Sequence, residues 1–507
     1  MLNLADLLEW SAERQPDTTA IIFEGTRISY SDLLAAAKRV ANMLRSKGIG
    51  RGDVVGMMLP NTPHFPIVYY GILYAGAVAL PMNPTLRGRE IAYQASDAHA
   101  KALFVWKDCV EEAGKALATL PDCQHLVVVE PGLVPKTPAI GESFVALLLA
   151  SDTDCEIAQT EADETAVIIY TSSLGGKTFG AELSHFNLYS NASSIREHIL
   201  RFDPGDITLA VLPLFHAFGQ TTMMNVPFLG GSTVVMVPRF DPQQVLQTIV
   251  RERVTLMCVV PTMLHFLVNA KKEERFDFSS VRCVTVGGAK MPVDLAQQME
   301  QRFQVTVLEG YGLTETGPVV SFNRAGINRL GSVGKPLWGC RVRVQREDGT
   351  TAAPNEIGEV VLRGHNVMKG YLNAPEATAR VMAGGWFHTG DFGYFDEDGY
   401  LFLTGLKKDI IIRAGLNIYP YEVEGVLVEH PSVAEAAVIG VPDPVRGEEP
   451  KAFLVPRPGK TIDAKELAAY CRLELASYKC PRTFEAVSEL PKDASGQILK
   501  HVLRERG

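Results

Sequence analysis

"TAVIIYTSSLGGKTFGAELSH", residues 165–185, is the stretch that decides how the chain folds. Six mostly apolar, strand-favouring residues run into a loop of glycines and hydroxyls in which Lys177 is the one lysine. A helical pattern, "SHFNLYSNASSIREHIL", follows, with Ser184 placed to cap it. Strand, glycine-rich turn and helix in that order aim backbone N–H groups at an anion. The spacing is not that of a Walker A loop, because G-x-x-x-x-G-K-[ST] is not matched. A triphosphate site would be expected to carry more cation, so a plain surface loop is the competing reading.

Working outward, helical patterns ("SDLLAAAKRVANMLRSKG", "DPQQVLQTIVRERV") alternate with short apolar runs ("VVGMML", "ALFVW", "HLVVVE", "AVIIY", "TLMCVV", "VRCVTVG"). That alternation predicts an α/β chain with parallel sheets and crossover helices. Past residue 330 the texture changes to strand-like runs ("RVRVQREDG", "GEVVLRG", "GYLFLTG"), consistent with a smaller β-rich section or barrel. From about Lys408 it changes again, to a compact α+β unit of roughly 100 residues. The boundary is placed at "TGLKKD", residues 404–409, giving domains 1–407 and 408–507.

At 507 residues the chain is too long for one ordinary core. Its net charge of −9 and lack of a dense Lys/Arg run argue against a nucleic-acid partner. The eight cysteines form no C-x-x-C pair and no zinc-spaced cluster, and read as reduced packing residues. The longest apolar run, "FPIVYYGILYAGAVALPMNP", is interrupted by Gly and Pro and falls short of a membrane span. The N-terminus is unlike a signal peptide. A cytoplasmic protein is expected.

Two further turns carry candidate chemistry. "LEGYGLTETGP" (308–318) sets Glu315 after a tight Gly-Tyr-Gly turn, where a carboxylate can hold Mg²⁺ and Tyr311 can stack on a purine. A solvated or capping carboxylate is the alternative for Glu315. "WFHTGDFGYFDEDGYLFLTG" (386–405) puts Asp391 in a glycine-flanked turn that suits a ribose, or an Asx-turn.

Taken together with "LPLFHAFG" (212–219), "VGGAKM" (286–291), "GSVGKPLWG" (331–339), "GEVVLRGHNVMKGYLN" (358–373), "KKDIIIRAGLNIYPYEVE" (407–424) and "AAVIGVPDPVRGE" (436–448), these motifs occur in the order of a known family. The chain resembles, over essentially its whole length, the ANL superfamily of adenylate-forming enzymes, and in texture the fatty-acyl and aryl-acid CoA ligases. The resemblance implies an ANL fold: a large N-terminal domain of two doubly wound subdomains plus a distorted barrel, and a small C-terminal lid hinged near Lys408. It implies ATP, Mg²⁺ and coenzyme A as cofactors, with a carboxylic acid or acyl thioester as the small-molecule partner. The acyl group would pass through acyl-AMP to CoA or to a carrier-protein pantetheine. In the glycine-rich loop it marks Thr171, Ser172, Ser173, Gly176 and Lys177. It assigns Tyr311 to adenine, Thr314 to the α-phosphate, Glu315 to Mg²⁺ and Asp391 to ribose. Gly287, Gly288 and Ala289 would line the adenine and acyl pocket, and Gly415 would enter the site during thiol transfer. His216 would stand at the acyl-pocket mouth, or else be a histidine packed on an aromatic neighbour. The catalytic set is then His216, Thr314, Glu315, Lys408 and the position of Gln497.

The departures from the family pattern are concentrated. In the glycine-rich loop Ser173, Leu174, Gly175 and Thr178 replace the usual residues, and Phe179 replaces a lysine. Leu406 stands where an arginine touches ribose, and Gln497 where a lysine bridges carboxylate and α-phosphate. Each swaps a cation for a neutral group, and one charge-assisted contact in a closed site is worth on the order of 2–4 kcal/mol. Lys177 can substitute in part, and Lys500 less so. The primary reading is an acid:CoA ligase. The runner-up is an ATP-independent acyl transferase between thioesters, and the third a non-catalytic acyl- or nucleotide-binding homologue.

Overall fold

The apolar runs become the inner strands of two large sheets, because each is buried on both faces and bounded by helices. The structure is a computed structural model that describes residues 1–132, 134–172, 178–270, 275–289, 291–406, 410–491 and 498–505. In one sheet Val78–Pro81, Val54–Met58, Ala100–Trp106 and His125–Val129 run parallel in that spatial order. In the other, Val307–Gly312, Cys283–Val286, Leu256–Val259, Ile207–Ala210, Thr233–Met236 and Thr19–Phe23 are parallel neighbours.

Helices close these sheets by burying one stripe. In Tyr30–Ser46 the buried positions Tyr30, Leu33, Ala37, Val40, Ala41 and Leu44 repeat every three to four residues, and Ser29 caps the helix by accepting from the Asp32 N–H at 3.1 Å. The long apolar run is the centre of the core: Phe65 to Tyr74 of the His64–Tyr74 helix are all buried. Gly71 lets that helix meet its neighbour, since a Cβ there would lie 2.5 Å from the Val40 Cβ.

The glycine-rich stretch departs from the expected strand–turn–helix. Thr165–Ser172 folds back onto a second strand, Thr178–Ser184, pairing Ser172 with Thr178, Thr171 with Phe179 and Ile169 with Ala181. The helix His185–Ile195 begins only after that strand. Ser184 does cap it, accepting from the Asn187 N–H at 3.1 Å. The cause lies in "TFGAELS": Ala181 and Leu183 are buried and complete the sheet, so the chain continues extended rather than turning into a helix. Thr165–Ser172 and Thr178–Ser184 are thus paired strands, and residues 173–177 between them lie outside the described residues.

The β-rich section forms a four-stranded antiparallel sheet from Arg341–Gln345, Gly358–Arg363, Phe387–Phe395 and Leu401–Leu406. The C-terminal α+β unit has its own core, in which Ile411, Val423, Leu427, Val438, Leu454 and Leu467 are buried together. The boundary assigned near Lys408 falls on residues 407–409, outside the described residues. All eight cysteines are buried and unbridged. Among the described residues no helix is long and apolar enough to cross a membrane.

Candidate active site

Two hydroxyl–carboxylate pairs organise the site. The Val307–Gly312 strand ends at Tyr311, whose hydroxyl donates to Asp391 Oδ2 at 2.6 Å. Asp391 lies in the Phe387–Phe395 strand, and its N–H donates to Thr389 Oγ1 at 3.0 Å. Both partners are buried; burial, then the Asp391 charge, pushes the Tyr311 phenol well up. One turn further, Thr314–Thr316 forms a single 3₁₀ turn, in which Glu315 is only 1% exposed. Tyr371 donates to Glu315 Oε1 at 2.8 Å, so the Glu315 carboxylate is buried and hydrogen-bonded rather than solvated.

Of these groups Tyr311 and Thr314 line a cavity of about 140 Å³, with Gly287, Gly288, His216 and Gly415 among its other walls. Ala289 is half-buried and is not among its walls. His216 precedes a short helix at Ala217–Gln220, its ring 5.3 Å from that of Phe215. This histidine packs on an aromatic neighbour and also lines the cavity. Burial lowers its pKa to about 4.

Gly415 arrives from the C-terminal unit. Ile411–Arg413 and Leu416–Ile418 form a hairpin whose two turn residues, Ala414 and Gly415, have φ of 51° and 80°. Two positive φ values in a two-residue turn match the right-handed twist of the strands. A Cβ on Gly415 would sit 2.8 Å from Val260 Cγ1, so the tip is pressed onto the cavity wall.

Several working residues escaped the sequence reading. Tyr419 is buried, hydrogen-bonded to Thr171 and Asn417, and close enough to Glu315 for that charge to help raise its pKa after burial and Glu422. Thr178 Oγ1 donates to Glu422 Oε1 at 2.5 Å. Lys479, its side chain 5% exposed, bridges Glu90 at 2.6 Å and Glu422 at 2.8 Å. Arg89 forks onto Glu429. The "YPYEVE" motif held two of these residues, Tyr419 and Glu422, but nothing in its spacing says that they face the glycine-rich hairpin.

The substituted positions divide. Phe179 is half-buried, its ring 5.4 Å from that of Tyr371, the residue that holds Glu315. Leu406 is the cross-strand partner of Asp391. Lys500 is tied to Glu424 at 2.7 Å and so is not a spare cation for the site. Ser172 ends its strand opposite Thr178. Ser173, Gly176, Lys177, Lys408 and Gln497 lie outside the described residues.

Thr314, on the cavity wall, and Glu315, the next residue of the same turn, offer oxygen donors. Mg²⁺ suits such a set, since it takes one or two carboxylates and fills its remaining positions with water and phosphate. Among the described residues no group of three His, Cys, Asp or Glu side chains forms a separate metal cluster.

Residues 8–372 match the family of AMP-binding enzymes, and residues 422–497 match the AMP-binding enzyme C-terminal domain. The chain belongs to the AMP-binding enzyme family. Its relatives include a long-chain-fatty-acid–CoA ligase of Bacillus subtilis (strain 168), 36% identical over 99% of this chain and 94% of that protein. A feruloyl-CoA synthase of an Amycolatopsis species is 37% identical over 98% and 97%. Among solved structures, a double mutant of the o-succinylbenzoate CoA synthetase of Bacillus subtilis, bound to its product analogue OSB-NCoA, superposes with a TM-score of 0.87. It is 31% identical and the match covers 100% of this chain and 99% of that one. CoA ligases of the AMP-binding family use ATP, coenzyme A and Mg²⁺.

Proposed function

We propose that this AMP-binding enzyme is an acid–thiol ligase of the acyl-CoA synthetase type. It joins the carboxylate of an apolar acyl or aryl acid to the α-phosphorus of ATP, releasing pyrophosphate. It then transfers the acyl group from the resulting acyl-AMP to the CoA thiol, releasing AMP. The observation that carries this reading is that a single cavity is lined by Tyr311, whose hydroxyl holds Asp391, by Thr314, the chain neighbour of Glu315, and by the Gly415 tip of the C-terminal unit.

Within it, Tyr311 stacks on adenine and Asp391 accepts from the ribose hydroxyls. Thr314 and Thr171 orient the α-phosphate. Glu315, steadied by Tyr371, would hold the Mg²⁺ that neutralises charge on the phosphates. Such chemistry needs positioned charge and orientation more than covalent help. His216 stays neutral well below pH 7, and at neutral pH it shapes the thiol's approach rather than taking its proton. Residues 408–507 act as a lid on residues 1–407. The superposition on a complex holding a CoA-product analogue supports reading this arrangement as the thiol-transfer pose.

One observation favours a second reading, ATP-independent transfer from an acyl thioester to CoA or a carrier-protein thiol. Phe179 packs on Tyr371, and Leu406 stands opposite Asp391, where the resemblance expects cations. The dividing experiment measures acid-dependent ATP–pyrophosphate exchange alongside transfer from preformed acyl-AMP and acyl-CoA to a thiol. Exchange accompanied by thioester formation is expected. Transfer without exchange would remove the ligase reading.

A further inference from the structure

The cavity wall that carries His216 is built on chain that has left its sheet. Ile207–Ala210 is paired on both sides, and Ala210 O still accepts the Val237 N–H at 3.1 Å. Beyond that strand Leu212, Pro213, His216, Ala217, Phe218 and Gly219 line the cavity. Buried backbone groups past the end of a strand need partners from elsewhere.

Two buried side-chain amides supply them. Asn61 lies three residues past the Val54–Met58 strand of the other large sheet and is 4% exposed. Its Nδ2 donates to Ala210 O at 3.2 Å and Leu212 O at 2.7 Å, and its Oδ1 accepts the Leu214 N–H at 3.0 Å. It therefore meets the wall at every second residue, as a neighbouring strand would. Gln220, fully buried, holds the other end. Its N–H donates to His216 O at 2.9 Å and its Nε2 to Leu214 O at 3.4 Å, while its Oε1 accepts the Tyr69 hydroxyl at 3.2 Å. Leu214 is thus clamped at both its N–H and its C=O, two residues before His216. Gly219 closes the turn, since a Cβ there would lie 2.4 Å from Pro213 O.

Asn61 and Tyr69 are not among the cavity's walls. The walls at Gly287, Gly288 and Tyr311 belong to the Cys283–Val286 and Val307–Gly312 strands and the turn after the first, whereas the bonds of the Asn61 side chain go to residues 210–214.

We propose that Asn61 is a positioning residue for thiol transfer: it touches no substrate, and its three bonds fix the wall that holds His216 where the thiol arrives. This rests on the ligase reading and on the place given there to His216. A positioned group displaced by about 1 Å can cost on the order of 10²-fold in the step it serves. The walls at Gly287, Gly288 and Tyr311 are supported separately, so formation of acyl-AMP is spared.

The test measures the two half-reactions of the full chain separately. One assay is acid-dependent ATP–pyrophosphate exchange with hexanoate, hexadecanoate and benzoate; the other is CoA thioester formation from the three corresponding preformed acyl-AMPs. Asn61→Ala is expected to lower thioester formation at least about tenfold and to raise the KM for CoA, with exchange within about threefold of wild type. Asn3→Ala is the structural control. Asn3 is also 4% exposed and makes the same kind of bonds, to Leu73 O, Ala158 O and the Ala5 N–H, none of them in the wall. Its loss should lower the urea midpoint while leaving the ratio of the two half-reactions unchanged. Tyr69→Phe deletes only a hydroxyl behind the wall, and should shift the ratio in the same direction by about threefold even if the Asn61 variant folds poorly. A ratio unchanged in both wall variants, or shifted the other way, overturns the inference. Wild type that forms thioester from acyl-AMP without exchange overturns the ligase reading instead, and Asn61 is then judged by thioester formation against the Asn3 control. Wild type that does neither overturns both.

Discussion

A phenolic hydroxyl supports Glu315, and the same phenol carries Phe179 on its ring, so one tyrosine ties the carboxylate proposed to hold Mg²⁺ to a position where the resemblance expects a lysine. Tyr371→Phe keeps the packing and deletes only the donor. A buried hydrogen bond to a charged group contributes about 1.5–3 kcal/mol, so a loss of stability in that range is expected in chemical denaturation. The Mg²⁺ concentration needed for half-maximal pyrophosphate exchange should rise severalfold; an unmoved Mg²⁺ dependence would detach Tyr371 from the role given to Glu315. Phe179→Lys is the complementary change. Alone it strips a half-buried ring from Tyr371 and should cost roughly 1–2 kcal/mol of stability. Combined with Gln497→Lys it restores two charges, and exchange should rise at least about tenfold over wild type. No gain from the pair would mean that these positions do not face the reacting phosphate.

At the scale of elements, the Ala414–Gly415 hairpin and the Lys479 bridge are the means by which the C-terminal unit engages the site. Gly415→Val adds a branched side chain where φ is +80° and where even a Cβ meets Val260 at 2.8 Å. Displacing a positioned group by about 1 Å can cost on the order of 10²-fold, so thioester formation should fall by about that factor, with exchange nearly unchanged. Parallel loss of both half-reactions would place Gly415 outside the thiol path. Lys479→Met leaves Glu90 and Glu422 facing each other across the contact between the two units; breaking a buried pair typically costs about 3–5 kcal/mol. Greater protease sensitivity near residues 404–410 and a selective loss of thiol transfer should follow. The parts of this picture legible in the sequence are those with local signatures, the apolar runs and the Ser184 cap, whereas Tyr311 and Asp391, expected in turns, lie in the strands Val307–Gly312 and Phe387–Phe395. The Thr178–Ser184 strand was missed because its partner is six residues or more back in the chain and its helix signal lay just beyond it. Tyr371 and Lys479 were missed because their partners Glu315, Glu422 and Glu90 lie 56, 57 and 389 residues away, and Tyr419 because its partner Thr171 lies in the other unit, where spacing carries no information.

The whole molecule carries a pH dependence set by imidazoles far apart in the fold. Burial lowers His64, His185 and His216 to about 4 from the ordinary value of about 6.5. His185 shows the reason most plainly: it is 1% exposed and its Nδ1 accepts the Leu4 N–H at 2.9 Å, a bond lost on protonation. Because the folded values lie below the unfolded ones, the unfolded chain binds more protons between pH 6.5 and 4. Their contribution to stability is complete above about pH 6.5 and is lost as the pH falls toward 4. The slope has an upper limit of about 4 kcal/mol per pH unit when all three respond, about 1.4 from each. Glu164 and Glu356, lowered to about 2 by their Arg51 and Arg346 partners, add a smaller loss at lower pH, since exposed pairs contribute little. Urea unfolding at pH 7.5, 6.5, 5.5 and 4.5 should therefore show stability level down to about pH 6.5 and steeply falling below it. His185→Gln keeps an acceptor for Leu4 and removes one titrating group, so it should flatten the fall by about a third, as expected for one of three equal contributions. An unchanged slope in that variant would mean that the acid sensitivity arises elsewhere in the chain.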